Sequence, residues 1–147
     1  MLLIATLCCL VFTSFAQAPS PAQSLKKAVL KSDLPAVEAL LKAGTDPNAP
    51  IEIVPGSATT YLITAVTDNS LEVVKLLLTA KAQVNQTDAF KTTALMTAVG
   101  KGNPAMVALL LSSGADAYAK DDDGKDALAL AREGGNAAII ALLAPKQ

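Results

Sequence analysis

Residues 88–116 read DAFKTTALMTAVGKGNPAMVALLLSSGAD, and the remainder of the chain is organised around looser copies of them. Two short apolar runs, Ala94–Lys101 and Pro104–Ser113, flank Gly102-Asn103, and the passage closes on Gly114. Apolar residues at helical spacing predict a helix in each run, and the Gly-Asn pair predicts the turn between them. Pro104 falls in the first turn of the second helix, where its missing N–H costs nothing. Gly114 is suited to the left-handed residue that closes such a helix.

From this unit the pattern extends in both directions. Ala65, Ala98 and Ala131 lie 33 residues apart, and Ala28 lies 37 before Ala65. The same step carries Leu62 to Leu95 to Leu128, Val74 to Val107 to Ile140, and Leu77 to Leu110 to Leu143. A fixed period of this length marks a stacked solenoid, in which one supersecondary unit is copied and piled on itself. Four units are expected, at about 25–48, 60–87, 88–120 and 121–143, after a disordered linker over 17–24. The first should place helices over Leu25–Lys31 and Pro35–Ala43, with a turn at Ser32-Asp33; the second, over Tyr61–Thr67 and Leu71–Ala80. Leu71, Val73, Val74, Leu76, Leu77 and Leu78 leave the second helix of unit two almost no polar face. Such a helix needs burial on several sides, which stacking supplies, whereas a lone surface helix needs one stripe. The recurrent alanine lets each short first helix approach its neighbours closely.

With these residues in view, the chain resembles the ankyrin-repeat family. Residues 88–116 are similar to its pattern of Asp, Gly, Thr-Pro-Leu-His, Ala, a Gly-Asn/His turn, Val, Leu-Leu and Gly-Ala-Asp-Val-Asn. Leu41-Lys42-Ala43-Gly44-Thr45-Asp46-Pro47-Asn48 and Ala82-Gln83-Val84-Asn85 repeat the closing phrase. The resemblance covers about Leu25 to Leu143 and implies an all-α solenoid of about four helix–turn–helix repeats, the outer ones acting as caps. Departures are specific. Thr-Pro-Leu-His appears as Thr60-Tyr-Leu-Ile63, Thr93-Ala-Leu-Met96 and Asp126-Ala-Leu-Ala129, so the family's His-centred hydrogen bonds must be missing or replaced. Lys81 and Lys91 stand where glycine is usual, which predicts a strained helix end and an altered turn.

Charge and composition exclude several functions. With 12 basic and 13 acidic residues the net charge is -1, which gives no electrostatic case for nucleic acid or anionic lipid. Aromatics are 3% and Trp is absent, so stacking platforms for single strands are missing too. There is no His, and both cysteines, Cys8 and Cys9, lie near the start. The remaining chain thus lacks the usual general base, zinc ligand and best nucleophile, and no catalysis or cofactor is expected. Asp46, Asp88, Asp116 and Asp126 fall at repeat turns, where they should bond backbone amides. Asp121-Asp122-Asp123-Gly124 suggests a calcium loop, but its anchoring positions would be Ala119 and Leu130. A solvated turn is expected there, and no metal site.

Leu2–Ala16 is an apolar run without charge, too short for the roughly 20 residues of a spanning helix. Small residues Ser14 and Ala16 frame a cleavage point, so residues 1–16 read as a signal peptide cut after Ala16, despite an n-region without Lys or Arg. A cysteine-free chain in the periplasm or outside the cell follows, with no membrane association and no disulfide.

Binding is the function that remains. The resemblance implies that a partner protein docks on the concave face and loop tips, at positions matching Lys31, Thr59, Thr67, Asp68, Ala89, Phe90, Thr92, Lys101, Asp122, Asp123, Lys125 and Glu133. Ile53 and Val54, in the long segment Ala49–Thr59, add apolar groups that either project from the stack or fold back over unit one. Phe90 either anchors a partner or packs beside Tyr61 or Tyr118. The expected protein is a monomeric, non-catalytic interaction module. A dedicated inhibitor or immunity protein of a toxic enzyme and a host-directed secreted effector are the alternatives.

Overall fold

The computed structural model describes residues 18–144. Four helix pairs follow one another: α1 (Pro21–Leu30) with α2 (Leu34–Lys42), α3 (Tyr61–Thr67) with α4 (Leu71–Thr79), α5 (Ala94–Lys101) with α6 (Pro104–Ser112), and α7 (Ala127–Gly134) with α8 (Ala137–Leu143). Within each pair the two helices pack together. Along the stack α1 meets α3, α3 meets α5 and α5 meets α7, while α2 packs on α4 and α6 on α8. This open row of pairs is the expected all-α solenoid. Leu62, Leu95, Val74, Val107, Leu77 and Leu110 are all buried, as are Ala28, Ala65, Ala98 and Ala131. The period therefore marks the seam between copies.

Each pair is stopped and started by local chemistry. Side chains of Asp33, Thr60, Thr93, Asn103, Asp126 and Asn136 accept a hydrogen bond from the backbone three residues on, which satisfies an amide the helix cannot. Ser70 caps no amide; its hydroxyl hydrogen-bonds that of Ser32 in the preceding pair. The outer helices end alike. Gly44, Lys81 and Gly114 take φ of 89°, 69° and 90°, and their N–H groups reach back to Leu41, Leu78 and Leu111. Lys81 thus adopts the left-handed conformation its position demands, with the strain that any side chain meets there.

Two expectations need correction. Pro21–Ser24, read as part of a disordered linker, form the first turn of α1. Ser20 accepts from Gln23 N, and Ser20 N donates to Gln23 Oε1, each at 3.2 Å, with Pro21 in the first turn. This reciprocal cap outweighs the Ala/Pro/Ser composition. Tyr61, at the family's Pro position, holds the turn in place by donating its hydroxyl to Ala22 O at 2.9 Å. The second concerns the long segment Ala49–Thr59, which forms a hairpin: β1 (Ile51–Val54) and β2 (Ser57–Thr59) pair antiparallel, with a register shift between Glu52 and Val54. The turn is made by Pro55 and Gly56, the latter at φ 81°. The leader, cleavage point and cysteines lie outside the described residues. Among the described residues no helix is long and apolar enough to cross a membrane.

Asparagines tie successive pairs together. Asn48 Nδ2 donates to Lys81 O at 3.3 Å, and Gln83 N donates to Asn48 Oδ1 at 2.7 Å. Asn85 does the same one copy later, donating to Gly114 O at 3.2 Å and accepting from Asp116 N at 2.8 Å. On the other side of the stack Asn103 Nδ2 donates to Asn69 Oδ1 at 2.6 Å. These bonds run between copies. Within copies, Thr64 Oγ1 donates to Thr60 O and Thr97 Oγ1 to Thr93 O.

Candidate functional site

Three loop tips form one line because backbone bonds join them. Ala89 N donates to Ala58 O at 3.0 Å, which fixes the 88–92 loop to the hairpin. Asp122 N donates to Phe90 O at 3.2 Å, which fixes the 121–125 loop to the 88–92 loop. At the other end Lys26 Nζ donates to Glu52 O, setting β1 beside α1.

The two later tips share one construction. Asp88 Oδ1 accepts from Phe90 N at 2.8 Å and Thr92 N at 2.9 Å. Asp121 Oδ1 accepts from Asp123 N at 3.0 Å and Lys125 N at 2.9 Å. The fourth residue of each loop is left-handed, Lys91 at φ 57° and Gly124 at φ 75°. Asp121 is therefore occupied with its own backbone, as expected of a solvated turn. Asp46 and Asp116 likewise accept from Asn48 N and Tyr118 N, and Asp126 accepts from Ala129 N as an N-cap.

Of the residues singled out in the sequence, Phe90 is 61% exposed, Val54 61% and Ile53 48%. Tyr61 is buried in the core, with its hydroxyl on Ala22 O. Ile51, by contrast, turns inward and is buried, so the hairpin both covers the stack and shows Ile53 and Val54 outside. Lys31, Thr67, Asp68, Lys101 and Glu133 are all exposed at or near the ends of the first helices. Ala89, Asp122 and Asp123 are exposed on the tips. Thr59 and Thr92 are half-buried and tied into the backbone, Thr59 opposite Ile51 and Thr92 to Asp88.

Charge is distributed unevenly over the faces. On the outer helices Glu38 pairs with Lys42 and Glu72 with Lys75. On the tips Lys91 pairs with Asp122 at 3.1 Å, and Lys125 with Glu133 at 2.9 Å. The Glu133 carboxylate, by hydrogen bond and then by charge, raises the Lys125 pKa above its ordinary 10.5. Lys27, Lys31, Asp68 and Lys101 form no ion pair among the described residues. Burial, then the charge of Asp46, raises the Tyr61 phenol above 10.0, so its proton stays available to Ala22 O.

Some of the surface was not foreseen. Leu30 is 43% exposed on α1 and shares a groove with Gln23, Lys26, Lys27 and Lys31. Tyr118, 75% exposed, occupies the position of Asn48 and Asn85 in the closing phrase. The closing phrases, aligned, carried that signal. Among the described residues no group of three or more His, Cys, Asp or Glu side chains is placed to hold a metal ion.

An open stack of helix pairs with a line of linked, solvent-facing tips defines a repeat scaffold for recognition. The family model for ankyrin repeats, three copies long, matches residues 25–121 and again 62–147, and the chain belongs to the ankyrin-repeat family. Ankyrin repeats are a protein–protein interaction module. Among curated proteins no match to the chain was found.

Proposed function

We propose that this chain is a non-catalytic docking module that acts outside the cytoplasm, periplasmic or secreted, and holds one partner protein along its concave face and loop tips. The observation that carries the reading is the line of exposed apolar side chains, Ile53, Val54 and Phe90, on tips held rigid by backbone bonds. Exposed aromatic and aliphatic groups on a fixed scaffold lose little conformational entropy on binding. Lys31, Asp68 and Lys101, at the ends of the first helices and in no ion pair among the described residues, supply charge for orientation. The export half of the reading is supported by the apolar run Leu2–Ala16 and the cysteine-free remainder. The module is monomeric and needs no cofactor.

Affinity capture from a periplasmic extract, read by mass spectrometry, identifies the partner. Phe90→Ala and Lys101→Glu should keep the helical circular dichroism and weaken its capture. Undiminished capture by both variants removes Phe90 and Lys101 from the surface and shifts the search to the hairpin. N-terminal sequencing of the exported protein should begin at Gln17; a protein that starts at Met1 and stays in the cytoplasm overturns the localisation.

A further inference from the structure

The first helix differs in charge from the rest of the molecule. Lys26, Lys27 and Lys31 lie on or at the end of α1, and the helix carries no acidic residue. Asp33, the nearest acid in sequence, caps α2 through Ala36 N and shares a second groove with Lys27 and Lys31. Glu52 lies beside Lys26, so the three lysines outnumber the two acids near them. A groove of about 230 Å³ is lined by Gln23, Lys26, Lys27, Leu30 and Lys31, so an apolar strip runs between the cations. Lys27 and Lys31 form no ion pair among the described residues. At the opposite end of the stack the stretch Asp116–Glu133 holds twice as many acidic as basic residues. Between the two ends lie the exposed Ile53, Val54 and Phe90, joined into one line by the bonds already described.

We propose that this surface takes a protein segment of defined polarity, an acidic block followed by apolar side chains, with the acidic block seated on the α1 lysines. The inference rests on the docking reading above and adds the partner's chemistry and its direction. Two forces set the direction. The lysines attract the acidic block, and the like charge of Asp122 and Asp123 repels it from the far tips. The overall charge of -1 offers no general attraction for anions, so the affinity is local to α1. Leu30, Ile53 and Val54 give the neighbouring apolar side chains a surface to cover.

The probes are two fluorescent synthetic peptides, a glutamate block joined to a leucine–phenylalanine block, and the same peptide with lysine for glutamate. The glutamate peptide should bind and the lysine peptide bind far more weakly, with affinity falling as salt rises. Lys27→Glu with Lys31→Glu, checked for helicity, should weaken the glutamate peptide by about tenfold. A nitroxide on its acidic end should broaden the amide signals of Lys27–Lys31 and spare Asp121–Asp123. Equal affinity for both peptides, broadening at Asp121–Asp123, or no binding of the glutamate peptide overturns the proposal. Binding of phosphatidylglycerol vesicles without the peptide also overturns it and makes α1 a lipid contact. The two readings separate on the natural partner. If Phe90→Ala loses it and the lysine variant does not, the polarity is wrong and the docking module stands; if neither loses it, the docking surface is wrong as well.

Discussion

Loops 88–92 and 121–125 have one backbone and two faces. Each is folded by an aspartate that accepts from two amides, and each turns on a left-handed fourth residue. At their tips, however, one shows Ala89 and Phe90 and the other Asp122 and Asp123. The left-handed residue is glycine in one and a strained lysine in the other. The lysine reaches Asp122, at 3.1 Å across the gap between loops. The contrast teaches that the frame is fixed by a few buried or bonded positions, and that the tips are free to carry recognition.

The largest blow to this comparison comes from beneath both loops. Leu77→Ala and Leu110→Ala should each cost about 2–5 kcal/mol, because both side chains are fully buried between copies. Chemical denaturation measures it; a loss under about 1 kcal/mol would mean the seam is not the source of stability. Next come the two frame aspartates. Asp88→Ala and Asp121→Ala should cost similar amounts, about 1–3 kcal/mol, since each removes two hydrogen bonds to a charged acceptor. Clearly unequal losses in urea melts would end the claim that the loops are equivalent.

Smaller effects sharpen the contrast. Lys81→Gly should raise stability by about 1 kcal/mol, by relieving the left-handed strain, while Gly114→Ala at the matching position should lower it as much. Lys91→Gly should gain less than Lys81→Gly, because it also gives up the exposed pair with Asp122. Thermal melts of the four variants give the order, and a destabilised Lys81→Gly would refute the strain. Smallest of all, Phe90→Asp and Asp123→Phe should each shift stability by less than about 0.5 kcal/mol, as exposed tips do. A larger shift would show that the tips support the fold after all.

Much of this was legible in the sequence, where chemistry repeats. The alanines, the leucines and the Gly44 and Gly114 helix ends lie at fixed steps, so the seam and its closures could be placed from spacing alone. The hairpin has no copy elsewhere among the described residues, and the period is silent about it. Yet Ile51-Glu-Ile-Val54 followed by Pro55-Gly56 carries a strand and a turn signal. The start of α1 was hidden by composition, although Ser20 and Gln23 stand at the spacing of a reciprocal cap. The site was harder to see. Exposed Phe90, Ile53 and Val54 could be named, but the pairing of Lys91 with Asp122 joins residues whose distance only the stacking sets. The α1 lysines gain meaning only once the hairpin lies beside them.

Tyr118 has a consequence for how the molecule comes apart. Asn48 and Asn85 each reach forward and latch the end of the following copy, at α4 and α6. Tyr118 has no side-chain amide for such a latch, so the link from the third copy to the fourth should open before the two links ahead of it. Amide-exchange protection would then be lower in α7 and α8 than in α3 to α6, which gives a row of similar helix pairs an intrinsic order of opening.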